Sequence, residues 1–223
     1  MEYRQTEGIV LICTPFQERH VIATLFTADL GLARFFVGGG HSQLSALSRV
    51  ECLYRDRGGS TLLQLKEWTL LDPYLILREE LGTLERASFL GQKLLQSQLP
   101  LKPAPALYNL LLLYLAYAPL AINSATFTTS FLIKLLKHDG LLALPERCME
   151  CEAPLQAAAL IRGEAFCQAH APSWSPLFSQ DEMRDLRTLA GARSMREVLD
   201  VRMEDSFRLK VERLFGELTE SIY

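Results

Sequence analysis

Short apolar segments alternate with turn residues along the first third of the chain. Each segment is rich in β-branched and aromatic side chains, a composition that predicts strands. The segments cover residues 7–13, 20–27, 32–37, 48–55 and 61–71. Five short strands in about seventy residues suit a small closed barrel. A five-stranded barrel with this spacing is most often of the oligonucleotide-binding (OB) type, and an SH3-like barrel is the alternative at this level.

After Asp72-Pro73 the apolar positions follow the period of helices with one buried face. Gly140 supplies a helix C-cap, and Ser179 and Glu182 form a capping box at the start of a later helix. The predicted helices cover residues 77–95, 106–118, 125–138, the capping box to 189, 194–199 and 207–221. The pattern therefore predicts an α+β fold, with a five-stranded OB-like β-barrel domain in residues 1–72 and an all-helical domain in residues 73–223.

The residues with the clearest chemistry lie between the third and fourth predicted helices. Cys148 and Cys151 form a CxxC pair, and Cys167 and His170 form a second pair with the same spacing. Two such pairs can converge on one tetrahedral zinc ion, because each fits a tight knuckle and the fifteen residues between them can fold back as a hairpin. The sequence therefore predicts a zinc knuckle at residues 148–170, embedded in the helical domain.

Two other interpretations of this cluster are less favoured. A redox CxxC of the thioredoxin type would follow a strand in a βαβ unit, whereas a helix and Pro145 come before it here. A catalytic zinc of the deaminase type needs an upstream His-x-Glu whose glutamate transfers protons, and the upstream candidate at His138 lacks that glutamate. Because four protein ligands also leave no open position for a water nucleophile, we expect a structural zinc and no enzyme activity.

Composition narrows the class of protein without indicating a partner. The chain of 223 residues is 49% hydrophobic, with a formal net charge of −3 and a pI near 5.9, so nothing global indicates a nucleic-acid binder. The odd number of cysteines, five, argues for a reducing cytoplasm. The N-terminus lacks a signal-peptide pattern, and the longest apolar run, 110–122, falls short of the ~20 residues that span a bilayer. We therefore expect a cytoplasmic protein with no membrane association.

Several pieces of sequence, taken in order, match a known family pattern over nearly the whole chain. They are Thr6 to Leu11, Glu18, Leu25 to Thr27 with Gly31, Gly39 with Ser45, Leu107 to Leu111, Phe131 to Gly140, Pro145 and the Cys148/Cys151 pair. In this order the chain resembles the bacterial recombination-mediator and DNA-repair family RecO.

The resemblance implies an OB-type N-terminal barrel and a helical C-terminal domain that carries zinc where the cysteines are kept. It also implies a non-enzymatic, nucleoid-associated protein that binds single-stranded and double-stranded DNA and promotes strand annealing. Such a protein works with RecR to load RecA at gaps coated by single-strand-binding protein (SSB). It binds the acidic C-terminal tail of SSB in a hydrophobic groove among the helices, which Lys134 and Lys137 could line.

The chain departs from the family pattern at two places. The fourth zinc ligand, usually cysteine in the family, is His170 here, and zinc accepts histidine with the same tetrahedral geometry. The loop at 38–43, where the family usually carries several Lys or Arg residues, offers only His41. The barrel segment 1–72 holds seven Lys and Arg against eight Asp and Glu. Because phosphate neutralisation supplies most non-specific DNA affinity, we expect weakened DNA binding.

The scattered cations of the barrel are the candidate DNA-binding residues. Those chosen as phosphate contacts are Arg19, Arg34, Arg49 and Lys66. Aromatic side chains that could stack on bases, if exposed, are Phe16, Phe35 and Tyr54. The alternative function, from a different class, is a protein-interaction adaptor of the same fold with weak direct DNA binding.

Overall fold

The computed structural model describes residues 3–17, 20–38, 44–56, 58 and 60–220. Arg19 and the loop residues 39–43, both singled out in the sequence, lie outside the described residues. The chain forms two compact units, Met1–Leu120 and Ala121–Tyr223. Within the described residues, the first unit consists of the barrel and two α-helices, and the second of four α-helices with a small sheet.

Five strands of the first unit close into a barrel. They are β1 (Tyr3–Phe16), β2 (His20–Thr27), β3 (Gly31–Val37), β4 (Arg49–Arg55) and β5 (Leu62–Asp72). The order around the barrel is β1-β2-β3-β5-β4, with β1 also paired to β4 and with β3 and β5 running parallel. This is the topology of the OB barrel, and the predicted fold class is confirmed.

The barrel interior is filled by alternate side chains of the five strands, because successive residues of a strand point to opposite faces. A bulge between Val10 and Ile12 bends β1 so that one strand serves two neighbours. The buried cluster consists of Val10, Ala23, Leu25, Ala33, Phe35, Val37, Val50, Cys52, Tyr54, Leu63 and Leu65. The residues between these positions form the outer surface of the barrel.

The turn between β2 and β3 is fixed by one glycine and by the chain that follows the first α-helix. Gly31 has a φ of +63°, and a Cβ added there would lie 1.9 Å from the carbonyl oxygen of Lys102. The Leu101 N–H donates to the Leu32 carbonyl at 2.9 Å, and the Ala104 N–H donates to the Ala28 carbonyl at 3.2 Å. The hairpin and the segment before the second α-helix therefore share backbone hydrogen bonds.

Two α-helices complete the first unit, α1 (Leu81–Ser97) and α2 (Pro105–Tyr117). Pro105 occupies the first turn of α2, where its fixed φ suits a helix start. Arg86 of α1 is buried, and its guanidinium donates to the Ala118 carbonyl at 3.0 Å and to the Thr83 hydroxyl at 2.9 Å. These bonds satisfy a buried charge that would otherwise be costly.

The second unit packs four α-helices around an apolar centre. They are α3 (Ser124–His138), α4 (Gln180–Gly191), α5 (Met195–Leu199) and α6 (Asp205–Glu220). The predicted capping box of α4 is present, with Ser179 and Glu182 each accepting a backbone N–H of the other. Side chains buried at the centre include Phe127, Phe131, Leu135, Met183, Leu186, Val198, Val211, Leu214 and Phe215.

Lysines attach α3 and α6 to the two ends of α4. Lys134 donates to the Ala192 carbonyl at 2.6 Å and Lys137 to the Ala190 carbonyl at 3.1 Å, which places two positive charges at the C-terminal end of α4. Burial, followed by the proximity of Lys137, lowers the pKa of Lys134. At the other end, Lys210 pairs with Glu182 at 2.6 Å.

The change from strands to helices falls after Asp72, as the sequence predicted, although the two compact units divide at Leu120. The domain limits 1–72 and 73–223 stay a prediction. Among the described residues, no helix combines the length and apolarity needed to cross a membrane.

Gly31→Ala should destabilise the first unit, because the substitution adds a left-handed backbone penalty of ~1–2 kcal/mol and a clash with the Lys102 carbonyl. We expect a loss of about 2 kcal/mol or more in the free energy of unfolding, measured by urea denaturation. Gly38→Ala is the matched control, since a Cβ there meets nothing within 4 Å. Equal stability of the two variants would contradict this account of the turn.

Candidate metal centre and nucleic-acid surface

The first ligand pair sits in a tight turn of the second unit. The Cys148 N–H donates to the Ala153 carbonyl at 2.9 Å, and the Glu152 N–H donates to the Cys148 carbonyl at 3.0 Å. Glu152 has a φ of 58°, the left-handed conformation that closes such a turn. As a result, the side chains of Cys148 and Cys151 emerge from one loop.

A short antiparallel hairpin brings the second ligand pair back to the first. Its strands are β6 (Ala158–Ile161) and β7 (Glu164–Phe166), joined at Arg162 and Gly163, both with positive φ. A third strand, β8 (Leu177–Phe178), pairs with β6 and was not predicted from the sequence. The Met149 N–H donates to the Ala165 carbonyl at 3.1 Å, which joins the first turn to the hairpin.

Four possible ligand atoms meet at one point, from Cys148, Cys151, Cys167 and His170, and all lie within 4.8 Å of one another. The Sγ atoms of Cys151 and Cys167 are 3.9 Å apart, and Nδ1 of His170 lies 3.2 Å from Cys167 Sγ and 3.9 Å from Cys148 Sγ. The three cysteines are free thiols in the structure, and the sulfurs of Cys151 and Cys167 are well beyond the bonded distance of about 2 Å. Tetrahedral coordination with metal–sulfur bonds of about 2.3 Å gives sulfur separations of about 3.8 Å, so the donor set fits one metal ion.

The surroundings of the cluster favour the thiolate form of Cys148 and Cys167. The backbone N–H of Cys167 donates to Cys148 Sγ at 3.4 Å, and this hydrogen bond is the main reason that the pKa of Cys148 falls to about 6. The hydrogen bond with His170 lowers the pKa of Cys167, and the same contact raises the pKa of His170. A backbone hydrogen bond from Ala153 lowers the pKa of Cys151, but burial and the neighbouring Cys148 and Cys167 thiols together outweigh it, so that pKa is raised. Because thiolate is the form that binds metal, the surroundings favour the metal-binding form at Cys148 and Cys167.

Ligand exposure differs across the cluster. Cys148 is buried, Cys167 is half-buried, and Cys151 and His170 are exposed. The arrangement is therefore anchored on its Cys148 side and open to solvent on the other, which gives a metal ion a route of entry.

Of the predicted DNA-binding cations, the three that the structure describes, Arg34, Arg49 and Lys66, do not converge on one patch. Arg34 is exposed on β3 opposite Leu62 of β5, whereas Arg49 stands opposite Asp72, ten residues further along β5 and on the order of 30 Å away. Lys66, between them along β5, lies 3.6 Å from Glu67 and 4.7 Å from the centre of the Tyr3 ring. The side chain of Arg34 makes no hydrogen bond or ion pair with the other residues that the structure describes.

Arg49 is held by an intramolecular network. Its guanidinium donates to both carboxylate oxygens of Glu7, at 2.7 and 2.9 Å, and the Tyr108 hydroxyl of α2 donates to the same carboxylate at 2.6 Å. The hydrogen bond from Arg49 lowers the pKa of Glu7, against the effect of partial burial. Burial, followed by the hydrogen bond to Glu7, raises the pKa of Tyr108. Arg49 is thus neutralised within the fold, and its assignment to DNA stays a prediction.

Of the aromatic residues considered for base stacking, Phe35 and Tyr54 are in the barrel interior. Their rings meet edge to face with centroids 5.6 Å apart, and both are buried. Phe16, near the end of β1, is 40% exposed. Phe36, which the sequence reasoning did not consider, lies between the buried Phe35 and Val37 and faces outward. The alternation of inward and outward residues along β3 could have identified Phe36, in place of Phe35, as the outward-facing ring.

The fold and the site define an OB-barrel protein whose second unit carries three cysteines and one histidine arranged as a metal site would require. Residues 1–74 match the family model described as Recombination protein O N terminal. The chain is 31% identical over 201 residues to the DNA repair protein RecO of Chlamydia muridarum, covering 86% of this chain and 85% of that protein. It is 28% identical over 207 residues to RecO of Chlamydia trachomatis serovar D, and 25% identical over 183 residues to RecO of Anaeromyxobacter dehalogenans strain 2CP-C. These matches cover 86% and 77% of this chain, and 82% and 72% of the relatives. The chain belongs to the RecO family of DNA repair proteins.

Cys151→Ser should remove the bound metal and destabilise the second unit, because metal binding at such a cluster supplies folding free energy. We expect stoichiometric metal in the purified wild-type protein and little in the variant, measured by elemental analysis, together with a lower unfolding temperature. Cys13→Ser is the matched control, since Cys13 packs in the barrel and takes no part in the cluster. Metal-free wild-type protein with a Cys148–Cys151 disulfide would refute the assignment.

Glu7→Gln should weaken, in a pH-dependent way, the hydrogen bonds that connect β1 to Arg49 of β4 and to Tyr108 of α2. The folded-state pKa of Glu7 lies below its ordinary value of 4.5, so its charge stabilises the fold above that pH and ceases to do so as the pH falls through the folded pKa. We expect a loss of about 1–2 kcal/mol near neutral pH that shrinks toward about pH 3, measured by urea denaturation.

The exposed pair of Glu67 and Lys66 provides the control for that measurement. Its side chains are 66% and 46% exposed, and Glu67→Gln should cost at most ~1 kcal/mol at any pH. A loss in Glu7→Gln that did not change with pH would argue against charge stabilisation by Arg49.

Proposed function

We propose that this protein is a mediator of DNA repair and homologous recombination. It binds single-stranded and double-stranded DNA through the barrel, promotes strand annealing, and acts with RecR to load RecA at SSB-coated gaps in the cytoplasm. One combined observation supports the proposal. The chain contains an OB barrel, and 86% of the chain aligns with a DNA repair protein RecO. OB barrels commonly bind oligonucleotides on their outer strands and loops.

We assign the cluster of Cys148, Cys151, Cys167 and His170 to a structural zinc ion. Thiolate and imidazole ligands in tetrahedral spacing suit zinc among the common divalent ions. When bound, zinc would cross-link the two turns. Its four protein ligands would leave no open coordination position for a substrate. The proposal therefore places no catalysis at this site, and the protein acts by binding.

The partner surfaces belong to the same proposal. We place the site for the acidic C-terminal tail of SSB on the second unit, near Lys134 and Lys137. Each of these lysines donates one hydrogen bond to a backbone carbonyl at the C-terminal end of α4. A lysine ammonium has three donors, so these lysines keep further hydrogen-bonding capacity for a carboxylate. RecR and, indirectly, RecA are the remaining partners proposed.

The proposal predicts salt-dependent binding of DNA in which Arg34 makes a phosphate contact. We expect Arg34→Ala to weaken binding of a labelled single strand, measured by fluorescence anisotropy, and to lower the slope of log affinity against log salt by about 0.7. Arg184→Ala, which removes an exposed arginine paired with Asp181 at 2.9 Å in the second unit, is the control. Absence of binding by the wild-type protein at micromolar concentration and low salt would overturn direct DNA binding.

A protein-interaction adaptor with weak DNA affinity is the second candidate. It is favoured by the net charge of −3 and by the neutralisation of Arg49 by Glu7. In that case purified RecR and an SSB-tail peptide would bind normally while both single-stranded and double-stranded DNA would not. The same anisotropy measurement, made with labelled peptide and labelled DNA, separates the two functions.

A further inference from the structure

Three aromatic rings lie together on the outer surface of the barrel. Phe16 stands opposite His20 in the β1–β2 ladder, and Phe36 stands opposite Ile22, two residues further along β2. The His20 and Phe36 rings are stacked, with centroids 5.0 Å apart and planes at 29°. Phe16 meets Phe36 edge to face, at 6.1 Å and 80°. We name this set of rings, Phe16, His20 and Phe36, the aromatic face.

The aromatic face is not part of the barrel core. Phe36 lies between Phe35 and Val37, which point inward, and Phe16 is 40% exposed. Packing of Phe16 against Phe36, which itself stacks on His20, orients the Phe16 ring without burying it. A preformed ring surface of this kind costs little entropy when a flat group stacks on it.

Two positions near the aromatic face carry positive charge. Arg34 is two residues before Phe36 on the same face of β3, and Arg55 is paired with Gln64, the β5 residue opposite Phe36. Of the described residues in register with the three rings and with Arg34, none is acidic; they are Ile22, Thr24, Leu62 and Gln64. The nearby Asp56 binds Arg4 at 4.0 Å and the Gly58 N–H at 2.8 Å.

Two buried polar atoms next to this surface have no partner among the described residues. They are Nδ1 of His20 and Nε of Arg55. An unpaired buried donor or acceptor costs about 1–3 kcal/mol, and a ligand that pairs with it recovers part of that cost. A depression of about 290 Å³ adjoins the rings, lined by Phe36, Ser60, Leu62, Leu63 and Gln64.

We propose that the aromatic face is a stacking site for an unpaired base, with Arg34 and Arg55 placed to contact the flanking phosphates. The ligand class is single-stranded nucleic acid, because a base in a duplex is stacked on both sides and offers no free ring surface. The site rests on the DNA binding proposed above and makes it more specific. It assigns the discrimination between single-stranded and double-stranded DNA to the rings of Phe16, His20 and Phe36. The distribution of charged residues alone would not identify these three.

The test compares Phe16→Ala with wild-type protein by anisotropy, using a labelled oligothymidine of about 16 nucleotides and a labelled duplex. We expect the variant to bind the single strand about tenfold more weakly, the loss typical of one base–aromatic stack. Its duplex affinity and its salt slope should stay unchanged, because a phenyl ring contacts no phosphate. Tyr117→Ala is the matched control, since Tyr117 is 37% exposed on α2 of the same unit.

A second variant provides a spectroscopic readout that does not depend on the stability of Phe16→Ala. In Phe16→Trp the stacking ring is kept, so single-strand affinity should equal or exceed that of the wild type. The added indole emission, taken as the difference from wild type, should be quenched by oligothymidine and not by the duplex. Stacking at this site is overturned if Phe16→Ala binds the single strand as tightly as wild type, or if the indole of Phe16→Trp does not respond.

The wild-type protein distinguishes this failure from failure of the general proposal. If wild type binds neither DNA, direct DNA binding and the stacking site are both wrong. If wild type binds and the Phe16 variants behave like Tyr117→Ala, only the stacking site is wrong, and the rings would then serve a protein partner or the fold alone.

Discussion

Closure of the barrel around β1 is the constraint on which the first unit depends. One strand must pair with β4 over its first half and with β2 over its second half, and the bulge after Val10 makes the bend between the two ladders. Once the ring is closed, every strand has one face inside and one outside. The same alternation that fills the interior with Phe35 and Tyr54 places Phe36 and Arg34 outside, so the core and the proposed DNA surface follow from a single geometric requirement.

In the second unit, the two turns that carry the ligand pairs are joined by a hairpin whose strand β6 is buried in the apolar core. Backbone bonds at Cys148 and Met149 position the loops, and the four ligand side chains then meet within one small volume. A metal ion there would contribute folding free energy. That contribution would add to the apolar core of the second unit, whereas the barrel core contributes no ligand to the cluster.

Local signals in the sequence predicted most of the elements, including five strands, the capping box at Ser179 and the hairpin between the two ligand pairs. The ligand pairs were also found, since their spacing is local. Contacts between distant residues could not be found this way. Glu7 and Arg49 are 42 residues apart, so nothing near Arg49 indicated that its charge is neutralised. The two-residue strand β8 is too short to carry a period of its own.

The backbone bonds between the β2–β3 hairpin and the segment before α2 have a consequence for how the protein can be dissected. A fragment that ended at Asp72 would keep all five strands but would leave the Leu32 and Ala28 carbonyls without the N–H groups of Leu101 and Ala104. It would also lose the Tyr108 hydroxyl from Glu7. A cut after Leu120 spares all three bonds, so the shortest barrel fragment suited to biochemistry is longer than the barrel itself.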